Sequence, residues 1–373
     1  MKKFNKIIFG KKYEITVASE NAALSSSVEE QLSYYEDFSA DEKAETEITI
    51  TTRAVENEKP LSVNPSIHRT FADGFEATYS NYSVRFAVEE NATKITLKIK
   101  PSGGAFATFL RKVNNMEFAT REERGAQILF ESALVPSVFF DADLFPVHSS
   151  GFAKNGKGIL IGGTGGSGKT SLELELCINR NFTFLNDDIA IVNNEGLIFP
   201  NLAHPKIYGY NLESFPELRE MLFDGKSATD KFFWQFREKF FGKNKVRRRL
   251  FVKNFDYTNE AQKLNYYFVL VKENTTELAT KKIDGKTAAD LHLNVIAAEY
   301  YEFINHLRWH EFNSRALDIP PKITHEKLIG TWRKNAEKVF AETENYIISI
   351  PEKIEHKTFL EKASKIISEI AGV

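Results

Sequence analysis

Two short segments carry residue types suited to handling a nucleotide. Gly163, Thr164, Gly165, Gly166, Ser167, Gly168, Lys169 and Thr170 fit the spacing G-x-x-x-x-G-K-[ST], and Ser171 follows directly. Glycines let a backbone take positive φ and curl its N–H groups around phosphate oxygens, and a helix beginning there adds its positive end. Lys169 is spaced to reach β- and γ-phosphates, and the Thr170 hydroxyl to ligate Mg²⁺. A glycine turn without a ligand is the plainer alternative and carries less weight.

The second segment is Asn186-Asp187-Asp188, which closes the apolar run Phe182 to Leu185. Asp187 follows Lys169 by 18 residues, room for one helix. Two carboxylates are therefore expected at the end of the next strand, beside a γ-phosphate. One can hold Mg²⁺ directly or through water, and the other can accept the proton of an attacking hydroxyl. Alone, the triplet would read as a solvated turn.

These segments need a buried strand before the loop and a helix after it, and Gly158 to Ile161 supplies the strand. After Thr170, Leu172, Leu174 and Leu176 alternate with Glu173 and Glu175, a strand period. The i,i+4 pairs Leu172/Leu176 and Leu174/Ile178, with Leu and Glu as strong helix formers, predict a helix to Arg180 instead. Ile189 to Val192 reads as a further strand. Before this region the texture differs. Lys12 to Ala18, Glu45 to Thr52, Ser83 to Val88 and Thr93 to Lys100 alternate as half-buried strands, separated by loops such as Asn57 to Ser66 and Pro101 to Gly104. The boundary between a β-rich module, 1–110, and an α/β region, 111–373, is drawn there. Thr120 with Glu123 is a capping-box signature for a helix through Ile128, Leu129 and Leu134 to Pro136. Farther on, a helix is predicted from Thr287, capped by Thr287 and Asp290, with Leu293, Ile296, Ala297, Tyr300, Ile304 and Leu307 on one face. A strand follows at Tyr346 to Ile350, then a helix from Thr358 to Ile370 ended by Gly372.

His148, the glycine loop with Lys169 and Thr170, and Leu185-Asn-Asp-Asp188 together resemble the core of the HPr serine kinase/phosphorylase family, itself related to ATP-dependent phosphoenolpyruvate carboxykinases. The resemblance covers roughly Thr120 to Pro205 and, more loosely, the β-rich module. It implies an α/β P-loop kinase core of the HPr kinase/phosphoenolpyruvate carboxykinase type, preceded by a β-rich amino-terminal module. It also implies ATP and Mg²⁺ as cofactors, Asp187 as base toward the acceptor hydroxyl, Asp188 and Thr170 on Mg²⁺, and His148 near the transferred phosphate. A hydrogen-bonded histidine at the strand entry is the alternative for His148. The E-x-R-G-x-G signature of HPr kinases proper is absent, and the stretch reads Asn201-Leu-Ala-His204-Pro-Lys206-Ile-Tyr-Gly209. The chain thus looks more like the divergent HPr-kinase-like proteins, some of which phosphorylate peptide natural-product precursors. The expected activity is transfer of the γ-phosphoryl group to a hydroxyl, of Ser or Thr on a protein or peptide. A small-molecule hydroxyl, or a nucleotide-dependent ATPase or switch with a partner-docking β module, are the alternatives. Kinases of this family are often multimeric, so a homo-oligomer is compatible with the resemblance.

The totals fit such an enzyme. The chain has 373 residues, 42% hydrophobic and 27% charged, ordinary globular usage. A formal charge of -2 gives no field for nucleic acid or an anionic membrane. No apolar run is long enough for a membrane span, and the basic start is broken too early for a signal peptide. Cys177 is the single cysteine, which excludes an internal disulfide and predicts a cytoplasmic protein. Three weaker features remain. The run Lys243, Lys245, Arg247, Arg248, Arg249, flanked by Trp234, Phe236, Phe240 and Phe241, reads mostly as a solvated basic face, with one arginine available to phosphoryl charge. Its mixture of aromatic and basic residues makes single-stranded nucleic acid a minor option. Glu302, His306 and His310 recur every four residues and read as surface or packing residues, and Lys206 could meet a phosphate.

Overall fold

The structure is a computed structural model describing residues 1–53, 59–64, 67–89, 92–100 and 121–373. The expected cap Thr120, the loop Pro101 to Gly104, part of the loop Asn57 to Ser66 and the boundary at residue 110 lie outside the described residues. The protein is mixed α/β, with two large sheets and many helices, and it divides into two compact units. One unit holds the described residues of Met1–Pro101 with Gly125–Pro146 and Leu293–Ala336, and the other holds the described residues of Ser102–Arg124 with Val147–His292 and Glu337–Val373.

In the first unit an eight-stranded sheet comprises β1 (Lys2–Ile8), β2 (Lys11–Ala18), β3 (Thr46–Thr51), β4 (Ser62–Asn64), β5 (His68–Phe71), β6 (Gly74–Thr78), β7 (Tyr82–Val88) and β8 (Thr93–Ile99), in the order β1-β2-β3-β8-β7-β6-β5-β4. The alternation seen in the sequence fixes which face is buried, because strand side chains point to opposite faces in turn. The register lines up Phe4, Ile15, Ile48, Ile95, Phe86 and Phe75 across six neighbouring strands. All six are buried, and each such side chain contributes about 1.5–3 kcal/mol relative to exposure. The pairs β2/β3 and β3/β8 are parallel, so β2 and β3 need a crossover, supplied by helix Ala22–Leu32. Leu24, Val28 and Leu32 form its buried stripe, and the Asn21 side chain accepts the Leu24 N–H to cap it. Helix Tyr301–Ala316 packs on β5 and β6. There His306 and His310 join His68, Phe75 and Trp309 in a buried aromatic cluster, while Glu302 stays exposed. His306 and His310 are packing residues and Glu302 a surface residue, the two readings expected for this set.

The second unit is built on a mixed sheet of β9 (Leu144–Lys154), β10 (Lys157–Gly163), β11 (Thr183–Asn186), β12 (Ile189–Asn193), β13 (Leu197–Phe199), β16 (Gln262–Glu273), β17 (Ala279–Ile283) and β18 (Glu344–Pro351). A small ribbon of β14 (Lys206–Tyr208) and β15 (Arg247–Arg249) stands beside it. β10 lies between β9, antiparallel, and β16, parallel, and β16 pairs in parallel with β18. That position explains its unbroken apolar run, since Ile159, Leu160 and Ile161 are fully buried. Helix Lys169–Leu174 follows the glycine loop and continues as a π turn, Glu175–Asn179. Leu172, Glu173 and Leu174 are all buried, so this helix is enclosed on every side. An enclosed helix needs no polar stripe, so the usual amphipathic helical period is missing from its sequence.

Three expected boundaries differ in the structure. The helix expected from Thr287 begins at Gly285, because Asp284 is the cap and its Oδ1 accepts the Thr287 N–H at 2.8 Å. It also ends at Glu299 and restarts at Tyr301. Tyr300 leaves helical geometry (φ -99°, ψ 25°) with its ring edge-on to Phe139, a tertiary contact with no local signal. The last helix starts at His356, capped by Glu355 accepting from Lys357 and Thr358. Among the described residues no helix is long and apolar enough to cross a membrane.

Candidate active site

β10 delivers its last residue, Gly163, to a loop that closes at Gly168, and helix Lys169–Leu174 begins there. Gly163, Gly166 and Gly168 have φ of 141°, 78° and 107°, the left-handed side that side chains resist. Sequence and geometry agree on why glycine recurs here. A Cβ on Gly168 would also lie 2.7 Å from the Phe359 ring, so the inner wall of the loop is filled. A Cβ on Gly165 or Gly166 would meet nothing within 4 Å, so the loop's outer face is open. The Ser167 N–H closes a turn on the Thr164 carbonyl at 3.3 Å. The Lys169 amine donates to the carbonyls of Gly163 (2.8 Å) and Thr164 (3.3 Å), which folds the side chain back along the loop. Ser171 is turned into the core, where its Oγ accepts from Asn211. Only its backbone could serve a phosphate.

The acidic pair is brought to this loop by β11, which pairs with β9. Gly151 of β9 makes the approach feasible, since a Cβ there would sit 2.1 Å from the Asn186 side-chain oxygen. Asn186 in turn donates to the Ser149 carbonyl, and the Ser149 N–H donates to the Asp188 carbonyl at 3.1 Å. The two carboxylates occupy different surroundings. Asp187 is buried: its Oδ1 accepts from the Thr170 hydroxyl at 3.3 Å and its Oδ2 from the Lys206 backbone N–H at 3.1 Å. Asp188 keeps 51% of its side chain exposed, with Lys206 Nζ 3.7 Å from Oδ2 and His148 Nδ1 4.0 Å from Oδ1. Removal from bulk water acts to raise the Asp188 carboxyl, but Lys206, His148, Lys169 and Arg249 outweigh it and hold it below the ordinary range.

The structure thus gathers Gly163 to Thr170, His148, Asp187 and Asp188 at one end of the sheet. It also brings there Lys206, which the sequence offered as a residue that could meet a phosphate, and one arginine of the basic run. Lys206 and Arg249 are register partners in the β14/β15 ribbon, and Arg249 is further tied to the His204 carbonyl at 2.5 Å. The mixed basic run divides here: Lys243, Lys245 and Arg247 are exposed as expected of a solvated face, Arg248 is buried, and the Arg249 charge helps to lower the Asp188 carboxyl. Glu173 is the least legible residue. Fully buried against Asp187 and Ser150, its carboxyl is pushed well above the usual range, first by burial and then by the Asp187 charge, which favours its protonated form. A Glu three residues after the loop threonine was the available signal, masked by the apparent strand alternation. Tyr210 is likewise raised to about 12 by burial, Tyr208 and Asp187. Cys177, buried near Glu173, has its thiol pushed far up, so it offers no nucleophile.

Whether a divalent cation fits can be judged from the donors. Among the described residues no group of three or more His, Cys, Asp or Glu could hold a metal by itself. Thr170 Oγ1 and the Asp187 carboxylate, 3.3 Å apart at the loop's end, make a partial donor set. That suits Mg²⁺, which keeps several waters and takes one or two protein oxygens together with substrate phosphates. Compared with known proteins, the chain matches no family model and no curated relative.

Proposed function

We propose that this protein is an ATP-dependent kinase that transfers the γ-phosphoryl group to a hydroxyl, that of Ser or Thr on a protein or peptide. One observation carries the reading: the Thr170 hydroxyl, next to Lys169 in a glycine loop of the phosphate-binding pattern, lies 3.3 Å from Asp187 at the end of the following strand. The loop N–H groups hold the phosphates, and the Lys169 amine exchanges the Gly163 and Thr164 carbonyls for β- and γ-phosphate oxygens. Thr170 and Asp187 would hold Mg²⁺, which supplies charge neutralisation across the β- and γ-phosphates when bound. Asp188 is the group left to face the acceptor. Its carboxylate orients the hydroxyl and takes its proton as the new O–P bond forms and the bond to the departing ADP oxygen breaks. Lys206 and Arg249 stand where charge on the moving phosphoryl group needs compensation.

This order reverses the roles implied by the family resemblance, with Asp187 on the metal side and Asp188 on the acceptor side. What supports the reversal is burial of Asp187 against Thr170 and exposure of Asp188. Incubation with γ-labelled ATP and a host lysate tests the activity. Wild type should label an acceptor, and Asp188→Asn should lose that label at least 100-fold while retaining nucleotide binding. ATP hydrolysis by the wild type with no labelled acceptor would sink the kinase reading in favour of an ATPase or switch.

A further inference from the structure

Helix Ala228–Phe241 is held to its own unit by Trp234, fully buried and edge-on to Phe223. Its opposite side carries an unusual load. Phe232, Phe236 and Phe240 recur at i, i+4 and i+8, each ring against the next, and with Phe241 they keep between 41% and 64% of their surface exposed. The stripe spans about 12 Å along the helix. Exposed aromatic groups in a contiguous row mark binding surfaces more often than solvated ones.

The charge around the stripe is one-sided. Residues 231–249 hold eight cations against one anion, Glu238, in a chain whose formal charge is only -2. Lys231, Lys239 and Lys245 are exposed and form no ion pair among the described residues. A cavity of about 400 Å³ opens beside the helix, lined by Arg219, Lys226 and Lys231 together with Glu220, Asp224 and Phe223, so the one-sided charge belongs to the helix and the basic segment after it and not to this cavity. The aromatic helix leads through Lys243–Lys245 directly into β15, whose Arg249 pairs with Lys206 of β14, and the Lys206 N–H binds Asp187. A ligand on this helix is therefore anchored a short ribbon away from the acidic pair.

We propose that helix Ala228–Phe241 and the basic segment 243–249 form a docking surface for an acidic peptide segment bearing apolar side chains, the stretch of the acceptor flanking its phosphorylated hydroxyl. The word acceptor rests on the kinase reading of Asp187 and Asp188, whereas the binding surface stands on its own residues. The apolar side chains seat between the phenylalanine rings, and the carboxylates meet Lys231, Lys239, Lys245 and Arg247. Continuity with the site through the ribbon favours a peptide over a lipid surface or a single-stranded nucleic acid.

The test is fluorescence anisotropy, without nucleotide, using a fluorescein-labelled 15-residue peptide of alternating Glu and Leu about a central Ser. Comparisons are the same peptide with Lys for Glu, a fluorescein-labelled oligothymidylate, and sedimentation with phosphatidylglycerol-containing vesicles. The Glu/Leu peptide should bind at least tenfold more tightly than the Lys/Leu peptide and weaken with salt. The combined variant Phe232→Ser, Phe236→Ser, Phe240→Ser should lose at least tenfold in peptide affinity with fluorescent-ATP binding unchanged, which also shows that it is folded. Equal peptide binding by the variant, or tighter binding of vesicles or oligothymidylate than of the peptide, overturns the proposal. Because no ATP is present, an absence of phosphotransfer would fault the kinase reading without touching this result.

Discussion

At the scale of residues, Asp188 and Glu173 show how neighbours set the charge of chemically similar groups. Asp188 is surrounded by cations and stays ionised below the usual carboxylate range. Its protonation cannot set the acid limb of activity near neutrality, but removing Lys206 removes the largest stabilising charge. Lys206→Ala should move the acid limb of kcat to higher pH and lower kcat about tenfold or more, and Lys206→Arg should restore much of both. An unshifted profile in Lys206→Ala would separate the lysine from Asp188. Glu173 behaves in the opposite sense. Its folded-state value is raised above that of the unfolded chain, so the folded protein binds the extra proton and stability falls as pH rises past the ordinary carboxylate range. Glu173→Gln keeps the shape without that proton, and should be more stable relative to the wild type at pH 8 than at pH 4. Urea denaturation at the two pH values measures this difference.

At the scale of elements, what could be read in advance follows a physical line. The half-buried strands β2, β3, β7 and β8 were legible because one face is wet, and β10 because the short run Ile159 to Ile161 precedes a glycine loop. The glycine loop and the acidic pair were legible because their residue types have few other uses at that spacing. Helix Ala22–Leu32, the break at Tyr300, the choice of Arg249 from the basic run and the burial of Glu173 depend on contacts distant in sequence, and left little local signal. Two glycines separate these influences experimentally. Gly330 lies exposed in helix His325–Ala341, and a Cβ there meets nothing within 4 Å, so Gly330→Ala should stabilise by about 0.5–1 kcal/mol. Gly151→Ala should destabilise instead, and should cost phosphotransfer by displacing Asn186 and the carboxylates after it. Thermal melts of both variants give the two signs.

Over the whole molecule, buried histidines set a response to acid, and the first unit holds a cluster of them. There, His68 and His306 meet Nδ1 to Nδ1 at 3.1 Å, which requires one donor and one acceptor, so at least one of the two rings is uncharged. Burial depresses them, with the neighbouring histidines adding to the shift at His68, to about 3 for His68 and about 4 for His306, and burial likewise takes His310 to about 4. A base depressed on folding binds fewer protons folded than unfolded, so stability is complete above pH 6.5 and declines as pH falls toward 4. The aromatic cluster should therefore lose protection from hydrogen exchange between pH 6.5 and 4, and a His306→Phe variant should lose part of that pH dependence. In the second unit the central claim is that Thr170 and Asp187 at the end of the glycine loop hold a Mg²⁺–nucleotide pair. Titration of a fluorescent ATP analogue with Mg²⁺ and with EDTA tests it most directly. The account predicts at least tenfold tighter binding with Mg²⁺ in the wild type, loss of that increment in Asp187→Asn with metal-free binding retained, and loss of binding altogether in Lys169→Ala. Equal affinities with Mg²⁺ and EDTA, or undiminished binding by Lys169→Ala, would contradict it.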